Sequence, residues 1–211
     1  MRKRIDAKNF NELKKWYNKA YTKGDLKSDA KFNNGMLNHL QIPKNKKLRL
    51  LDIACGNGYL LKEAEKRVKC YGIDISDVAI KRAKQNAPKS NLRIGKAEAL
   101  PYRDNYFDYV TCIGSLEHFI YMGKALSEMQ RLLKRTGLVN ILVPNSDYLV
   151  FKFKKPEQQQ INERLLTLRE WSDTIKKYFI LRDVKKYNTR WYLNWIPLKY
   201  CCHFAFICGN K

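Results

Sequence analysis

The stretch LRLLDIACGNGYLLKEAEKR, residues Leu48–Arg67, decides how this chain is interpreted. Its first part, LRLLDIA, is short and apolar, which is typical of a strand buried in a sheet. Its last part has the spacing of an amphipathic helix. Between them stand Gly56 and Gly58, separated by one residue. Because small residues let a ligand touch the backbone, this strand-to-helix turn predicts a binding site.

The residues of this turn narrow the choice of ligand. A dinucleotide-binding turn needs a third small residue, and this chain has Leu61 at that position. A phosphate-binding loop needs Lys-Ser or Lys-Thr after its last glycine, and neither follows Gly58 here. Instead, Asp52 precedes the glycines, which suits a ligand with positive charge. Asp74 ends the next apolar run, where a carboxylate can bind a ribose. S-adenosyl-L-methionine fits these needs, because it has a ribose and a cationic part but no pyrophosphate.

Apolar and amphipathic segments alternate along the rest of the chain. Strands are predicted at LRLLDIA, VKCYGIDIS, NLRIGKAE, FDYVTCIG and LVNILVPN, with helices that include LLKEAEKRV and KALSEMQRLLKR. This rhythm is typical of a doubly wound α/β fold, in which a parallel sheet carries helices on both faces. After Pro144 the rhythm is interrupted. A T-x-x-E capping box at Thr167 then opens a further helix, and two strands follow at FILRDVKKYN and HFAFICG.

Four motifs in this order resemble class I S-adenosylmethionine-dependent methyltransferases, in the type 11 or small-molecule branch. LLDIACGNGYL is similar to the glycine-rich loop of that family, and YGIDIS to its acidic loop. AEALPYRDNYFDYVTCIGSLEHF and ALSEMQRLLKRTGLVNILVPN are similar to its fourth-strand and fifth-strand regions. The resemblance implies a Rossmann-like sheet of seven mostly parallel strands with an antiparallel last strand. We expect one methyltransferase domain, with a helical lid at 1–47, a cofactor-binding core at 48–145, and a substrate-side insertion with closing strands at 146–211.

The resemblance also implies which residues bind the cofactor. Asp74 would take the ribose hydroxyls, Ile75 would pack on the adenine face, and Ile113 would lie beside the sulfonium. Lys96 stands where many relatives have an Asp that accepts from the adenine amine, and an ammonium group cannot accept. Adenine recognition is therefore expected from backbone groups or from Glu98. The other residues implied, at the methionine end and the adenine edge, are Asp52, Ala54, Gly56, Gly58, Ala97 and Glu98.

His118, in GSLEHF beyond the fourth strand, is the candidate catalytic residue. An imidazole with the ordinary pKa of ~6.5 can take a proton from an acceptor at neutral pH. The alternative is that His118 only shapes the rim of the pocket. Some methyltransferases of this class hold a divalent ion in an E-x-x-E-H cluster, but Gly114 replaces the first Glu here. Glu117 and His118 are therefore not expected to hold a metal.

Two tyrosines of the first predicted helix, Tyr17 and Tyr21, have two interpretations. The resemblance to the family suggests that they close over the cofactor from the N-terminal side. Their helical spacing is equally typical of residues that pack in a core. The sequence leaves both interpretations open.

Positive charge concentrates in the two flanks of the chain. Residues 1–50 hold 14 Lys or Arg and 4 Asp or Glu, and residues 151–211 hold 13 and 5, so the flanks carry +18 of the net charge of +22. Basic flanks can recruit nucleic acid, anionic lipid or an acidic metabolite, and they are equally compatible with a merely solvated surface. We expect a small-molecule acceptor that is anionic or amphipathic. RNA is the less favoured alternative, since no RNA-binding module is recognisable, and a cofactor-binding module without catalysis is the third. The flank residues concerned are Lys152, Lys154, Lys155, Arg190, Trp191, Tyr192 and Trp195.

Composition bounds the setting in which the protein works. The chain has 211 residues and 45% apolar side chains, which is typical of a globular domain. No apolar run approaches the ~18 residues of a transmembrane segment. The six cysteines include no pair with C-x-x-C spacing, which argues against a zinc site and predicts a reduced, cytoplasmic protein.

Overall fold

A seven-stranded sheet organises the chain, as the sequence predicts. The computed structural model describes residues 6–24, 29–153, 161–188 and 194–211. The helices within these ranges are α1 (Phe10–Lys23), α2 (Ala30–His39), α3 (Tyr59–Ala64), α4 (Asp77–Asn86), α5 (Met122–Leu132) and α6 (Leu168–Ile175). The strands are β1 (Arg49–Ile53), β2 (Lys69–Asp74), β3 (Asn91–Ile94), β4 (Phe107–Ile113), β5 (Leu133–Pro144), β6 (Phe179–Tyr187) and β7 (His203–Asn210).

The order of the strands confirms the doubly wound topology. The sheet runs β3-β2-β1-β4-β5-β7-β6, and β1 to β5 pair in parallel. The last strand, β7, is antiparallel and lies between β5 and β6. The order reverses between β1 and β4, and ligands of open α/β sheets bind at such a reversal, outside the carboxyl ends of the strands. Because β7 is antiparallel, its first residue lies at that same edge.

Each face of the sheet has its own buried core, which fixes the helices on both sides. On one face α5 and α6 pack against β4, β5 and β7, and Trp171 is fully buried there. Its indole Nε1 donates to the carbonyl of Pro144 at 2.9 Å, so the ring has a polar partner. On the other face α2 and α3 bury Leu37 and Leu61. Each such leucine stabilises the fold by about 1.5–3 kcal/mol through removal from water.

The predicted capping box is present at the start of α6. The Thr167 hydroxyl accepts from the Glu170 amide at 3.3 Å, and the Glu170 carboxylate accepts from the Thr167 amide at 2.8 Å. These two bonds satisfy amide groups that the first turn of a helix leaves without partners. The motif therefore fixes where α6 begins.

Two predicted helices are shorter than the sequence pattern suggests. The helix expected over KALSEMQRLLKR ends at Leu132, and β5 begins at Leu133. Lys134 forms an ion pair of 2.6 Å with Asp108 of β4. This contact with the neighbouring strand stabilises the last residues of the pattern as part of β5 instead of α5. The helix expected over LLKEAEKRV ends at Ala64.

Candidate active site

A cavity of about 450 Å³ opens where the order of the strands reverses, and it gathers most of the predicted site residues. This volume lies within the ~300–1,000 Å³ that is usual for sites of small molecules. Nine of the ten residues predicted from the sequence line the cavity. They are Asp52, Ala54, Gly56, Asp74, Ile75, Ala97, Glu98, Ile113 and His118.

Gly58 is the predicted cofactor-binding residue that does not line the cavity. It precedes α3 with a φ of 76°, in the left-handed region that favours glycine. A Cβ atom at this position would lie 2.9 Å from the Cβ of Ala83 on α4. The close packing of α4 therefore accounts for a small residue here, and the cofactor-binding role of Gly58 stays a prediction.

Gly56 and Asp74 tie the glycine loop to the end of β2. The Gly56 amide donates to one Asp74 carboxylate oxygen at 2.9 Å, and the Ser76 amide donates to the other at 2.8 Å. Burial raises the pKa of Asp74 to about 6, and the backbone hydrogen bonds oppose this shift. Each carboxylate oxygen can still accept a second hydrogen bond, and the side chain lines the cavity.

Asp52 is a second buried carboxylate on the same cavity. The Thr111 hydroxyl of β4 donates to its Oδ1 at 2.7 Å. Burial raises the pKa of Asp52 to about 7, and the nearby charge of Asp74 adds to this shift. No salt bridge reaches Asp52 or Asp74 from within the residues that the structure describes. Two buried acids without a cation make this part of the cavity a favourable place for a positively charged ligand.

The end of the cavity nearest β3 is lined by Ile75 and by the loop after β3. The Lys96 ammonium lies over the ring of Phe10 on α1, 3.9 Å from the ring centroid. The Glu98 carboxylate accepts from the Tyr121 amide at 3.3 Å, and burial raises its pKa. Lys96 is thus engaged with α1, while Glu98 and the backbone around Ala97 remain the groups available to an adenine.

α1 lies along the cavity and contributes Tyr17 and Tyr21 to its lining. Asn18 anchors the helix, because its amide donates to Asp77 at 2.7 Å and its carbonyl oxygen accepts from the Ser76 hydroxyl at 2.6 Å. A Cβ atom on Gly56 would lie 2.7 Å from the Tyr21 hydroxyl. The tyrosines therefore face the cavity and also pack closely against the glycine loop, in agreement with both interpretations of the sequence.

His118 lies in a short 3₁₀ turn after β4 and is almost fully buried. Its Nδ1 is 2.8 Å from the carbonyl of Ile161, which places the ring proton on Nδ1 and leaves Nε2 as an acceptor. Burial lowers the pKa of His118 to about 4, so the expectation of an ordinary imidazole pKa is wrong. Burial also raises the pKa of Glu117 to about 8, and its Oε1 lies 3.6 Å from His118 Nε2. The pair is therefore uncharged at neutral pH.

Sequence reasoning missed the residues that line the cavity beyond α1. They come from α2 and from the ends of β5, β6 and β7, and they are Asp29, Phe32, Asn33, Leu142, Tyr187 and His203. One signal for His203 was available. The last strand was expected to be antiparallel, and an antiparallel strand begins at the edge where its parallel neighbours end.

Part of the basic and aromatic flank falls outside the described residues. This applies to Lys154, Lys155, Arg190, Trp191 and Tyr192, whereas Trp195 is described and is 76% exposed. Across the part of the chain that the structure covers, no three His, Cys, Asp or Glu residues are grouped as metal ligands would be. No helix among the described residues is long and apolar enough to cross a membrane.

Comparison with known proteins agrees with this geometry. Residues 51–141 match the model of the type 11 Methyltransferase domain family. An uncharacterized protein of Methanocaldococcus jannaschii is 39% identical over 108 residues, which are 51% of this chain and 46% of that protein. A 2-phytyl-1,4-naphtoquinone methyltransferase of Trichormus variabilis is 30% identical over 131 residues, which are 57% of this chain and 52% of that protein. The chain thus spans about half the length of these curated relatives.

A solved structure extends the likeness of the fold to nearly the whole chain. The [4+2]-cyclase SpnF superimposes with a TM-score of 0.74 over 99% of both chains, at 15% sequence identity. The sheet order, the glycine loop and the two acids at the strand ends agree with the match of residues 51–141 to a methyltransferase domain. More narrowly, the family model that residues 51–141 match, over less than half of the chain, is that of the type 11 branch.

Proposed function

We propose that this protein is an S-adenosyl-L-methionine-dependent methyltransferase that acts on a small-molecule acceptor. The observation that carries the proposal is the pair of buried carboxylates, Asp52 and Asp74, beside Gly56 on a cavity of about 450 Å³. Neither carboxylate has an ion-pair partner among the described residues. A cation brought by the ligand would supply the missing charge and favour ionisation of both acids.

The lining of the part of the cavity between Asp52 and the loop after β3 fits this cofactor along its length. Asp52 would hold the amino group of the methionine part, and Asp74 would accept the ribose hydroxyls. Ile75 and Ala97 would pack against the adenine, with Glu98 at its edge. When bound, S-adenosyl-L-methionine supplies a methyl group on a positively charged sulfur that is already electrophilic.

The chain itself would contribute orientation, exclusion of water and a proton acceptor. Ile113 and Phe119 each contribute apolar surface to the cavity, and Nε2 of His118 is the atom proposed to take a proton from the acceptor. A pKa of about 4 makes this imidazole a weak base. We therefore assign most of the rate enhancement to orientation, which can contribute ~7–11 kcal/mol.

The names of relatives support a small-molecule acceptor without identifying it. Two of these relatives are named as a naphthoquinone methyltransferase and as a ubiquinone/menaquinone biosynthesis C-methyltransferase. This chain matches about half of the length of each. The fold alone does not fix methyl transfer, since one protein of this shape is named as a cyclase. A module that binds the cofactor without transferring its methyl group is therefore the alternative, and experiment must distinguish it from a methyltransferase.

The first experiment tests the cofactor. Calorimetry should show that S-adenosyl-L-methionine and its demethylated product, S-adenosylhomocysteine, bind and that NAD does not. Asp74→Asn should weaken binding at least tenfold, because the charge-assisted bonds to the ribose hydroxyls are worth about 1.5–3 kcal/mol. Asp173→Asn is the matched control, since it removes an exposed carboxylate of α6 that does not line the cavity. Tight binding of NAD would overturn the assignment.

The second experiment tests methyl transfer and the acceptor class. Protein incubated with methyl-labelled cofactor and fractionated cell extract should label a small-molecule fraction. Label in RNA at physiological salt would instead support the RNA alternative, provided that it is lost when four flank charges are reversed. These are the charges of Lys152, Lys154, Lys155 and Arg190. Cofactor binding without label in any fraction would support the non-catalytic module.

We also propose that the protein works in a reducing compartment such as the cytoplasm. Five cysteines are buried as thiols, and burial raises the pKa of Cys70 to about 12. Thiols of this kind are poorly ionised and behave as small apolar side chains. The buried thiols are Cys55, Cys70, Cys112, Cys201 and Cys208.

A further inference from the structure

The half of the cavity that faces β7 is not used by the residues assigned to the cofactor. It lies on the side of the crevice away from Asp74 and the loop after β3, because the sheet continues from β4 through β5 to β7 and β6. Its walls come from α2 and from the three strands at that end. If methyl transfer occurs here, this half receives the acceptor, so the inference below rests on the proposed function.

His203 lies between β5 and β6 in this half. It is the first residue of β7 and pairs with Pro144 of β5 on one side and Tyr187 of β6 on the other. Its side chain lines the cavity, while its Nδ1 is buried without a hydrogen-bond partner. Since Nδ1 is enclosed by protein, the ring nitrogen available to a ligand is Nε2.

The surroundings of Nδ1 also determine where the ring proton lies. Burial lowers the pKa of His203 to about 4, so the imidazole is uncharged at neutral pH. A buried N–H without an acceptor is rarer in proteins than a buried acceptor without a donor. The tautomer with its proton on Nε2 is therefore favoured, and it offers the cavity a donor.

Aromatic rings flank this donor. The ring centroid of Tyr187 lies 6.0 Å from that of His203, and the ring of Phe32 lies edge-on to Tyr187 with centroids 4.9 Å apart. Rings arranged in this way suit a planar ligand that can stack or meet their edges. They add apolar contact on the same side as the polar Nε2.

The charges in this half oppose an anionic ligand. Asp29 is the carboxylate that lines this half. Burial raises the pKa of Tyr187, and the charge of Asp29 adds to this shift. No Lys or Arg among the described residues lines this half of the cavity, and Lys96 is held by Phe10 at the other end. The large positive charge of the chain is thus not carried into the acceptor side by the residues that can be described.

We propose that His203 binds the acceptor and that the acceptor is an uncharged, planar aromatic compound with an oxygen attached to its ring. The Nε2–H group of His203 donates to that oxygen, and Tyr187 and Phe32 contact the ring. An anionic acceptor, which the charge of the flanks suggests, is disfavoured at this position. His203 is assigned a role in binding and orientation, and the proton acceptor remains His118.

The test is a titration followed by NMR of the imidazole groups. The chain has three histidines, so the spectrum of the imidazole Cε1–H groups contains three signals that single substitutions can assign. Protein saturated with S-adenosylhomocysteine is titrated with 2-naphthol, and separately with 2-naphthoate as an anionic ring of similar size. We expect 2-naphthol to shift the His203 signal and to bind at least tenfold more tightly than 2-naphthoate.

Two variants complete the design. His203→Phe keeps an aromatic ring but has no donor, so it should weaken 2-naphthol binding about three- to tenfold, as expected for loss of one hydrogen bond, and leave the affinity for S-adenosylhomocysteine unchanged. His39→Phe is the matched control, because His39 also has a buried Nδ1 without a partner but does not line the cavity. Unmoved signals of the two remaining histidines report that each variant is folded.

The outcomes separate the two proposals. Failure of S-adenosylhomocysteine to bind would overturn the proposed function and this inference with it. Binding of S-adenosylhomocysteine with an unmoved His203 signal, or with 2-naphthoate preferred over 2-naphthol, would overturn the inference alone.

Discussion

Binding of the cofactor should release protons, and the amount follows from the two buried acids. In the protein without ligand, burial raises the pKa of Asp52 to about 7 and that of Asp74 to about 6. Both groups therefore keep part of their protons near neutral pH. We expect both to be ionised in the complex, since one faces the ligand's amino group and the other accepts from its ribose hydroxyls. Binding must then expel the protons, and affinity must rise with pH.

The size of the effect can be worked out from these pKa values. At pH 6.0 the two carboxyls together hold about 1.4 protons, and at pH 7.5 they hold about 0.3. The apparent affinity should accordingly fall about 15-fold between pH 7.5 and pH 6.0. His118 and His203 do not contribute in this window, because burial lowers the pKa of each to about 4.

Calorimetry in buffers of different ionisation enthalpy measures the protons released at each pH. In Asp52→Asn only the proton of Asp74 remains, so the dependence of affinity on pH should shrink to about twofold. Asp173→Asn should keep the full 15-fold dependence. The reasoning is refuted if the wild-type protein binds S-adenosyl-L-methionine with equal affinity at pH 6.0 and 7.5 and releases no protons.

Three further predictions concern the loop, the fold and metal ions. Gly56→Val should abolish cofactor binding in calorimetry, because φ is 52° there and the new side chain would meet the Tyr21 hydroxyl. A variant that binds with wild-type affinity would contradict the assignment of this loop to the cofactor. Thr167→Ala should lower the free energy of unfolding by about 0.5–2 kcal/mol in urea titrations without changing cofactor affinity, and an unchanged midpoint would contradict the role of the capping box. EDTA should leave methyl transfer intact, because Gly114 stands where the metal-binding E-x-x-E-H cluster has its first Glu. Activity that is lost in EDTA and restored by magnesium or manganese would show metal dependence.

Much of the fold could be predicted because the signals for it are local. The apolar runs of β1 to β5, the glycines of the first turn and the capping box of Thr167 each report on structure within a few residues. The end of α5 could not be predicted in this way. The run LLKR is compatible with a helix or a strand, and the ion pair between Lys134 and Asp108, 26 positions apart, accompanies the strand.

The candidate site was predictable in its cofactor half and not in its acceptor half. Asp52, Gly56 and Asp74 belong to motifs with a fixed spacing, and the structure places all three on the cavity. His203 and Phe32 come together only through packing of α2 and β7, and no spacing links them. The pKa of His118 was misjudged for the same reason, since its burial depends on contacts such as that with Ile161.

The position of β7 in the sheet has a consequence for how the chain is made. β6 is synthesised before β7, yet in the described sheet it pairs only with β7. Until residues 203–210 have left the ribosome, the outer side of β5 and both sides of β6 lack their hydrogen-bonding neighbours. Such open edges can pair with other chains, so the nascent protein is most exposed to aggregation shortly before β7 emerges. A pause while β6 is outside the ribosome and residues 203–210 are still inside it would hold the polypeptide in that vulnerable form, with an active site still lacking one wall.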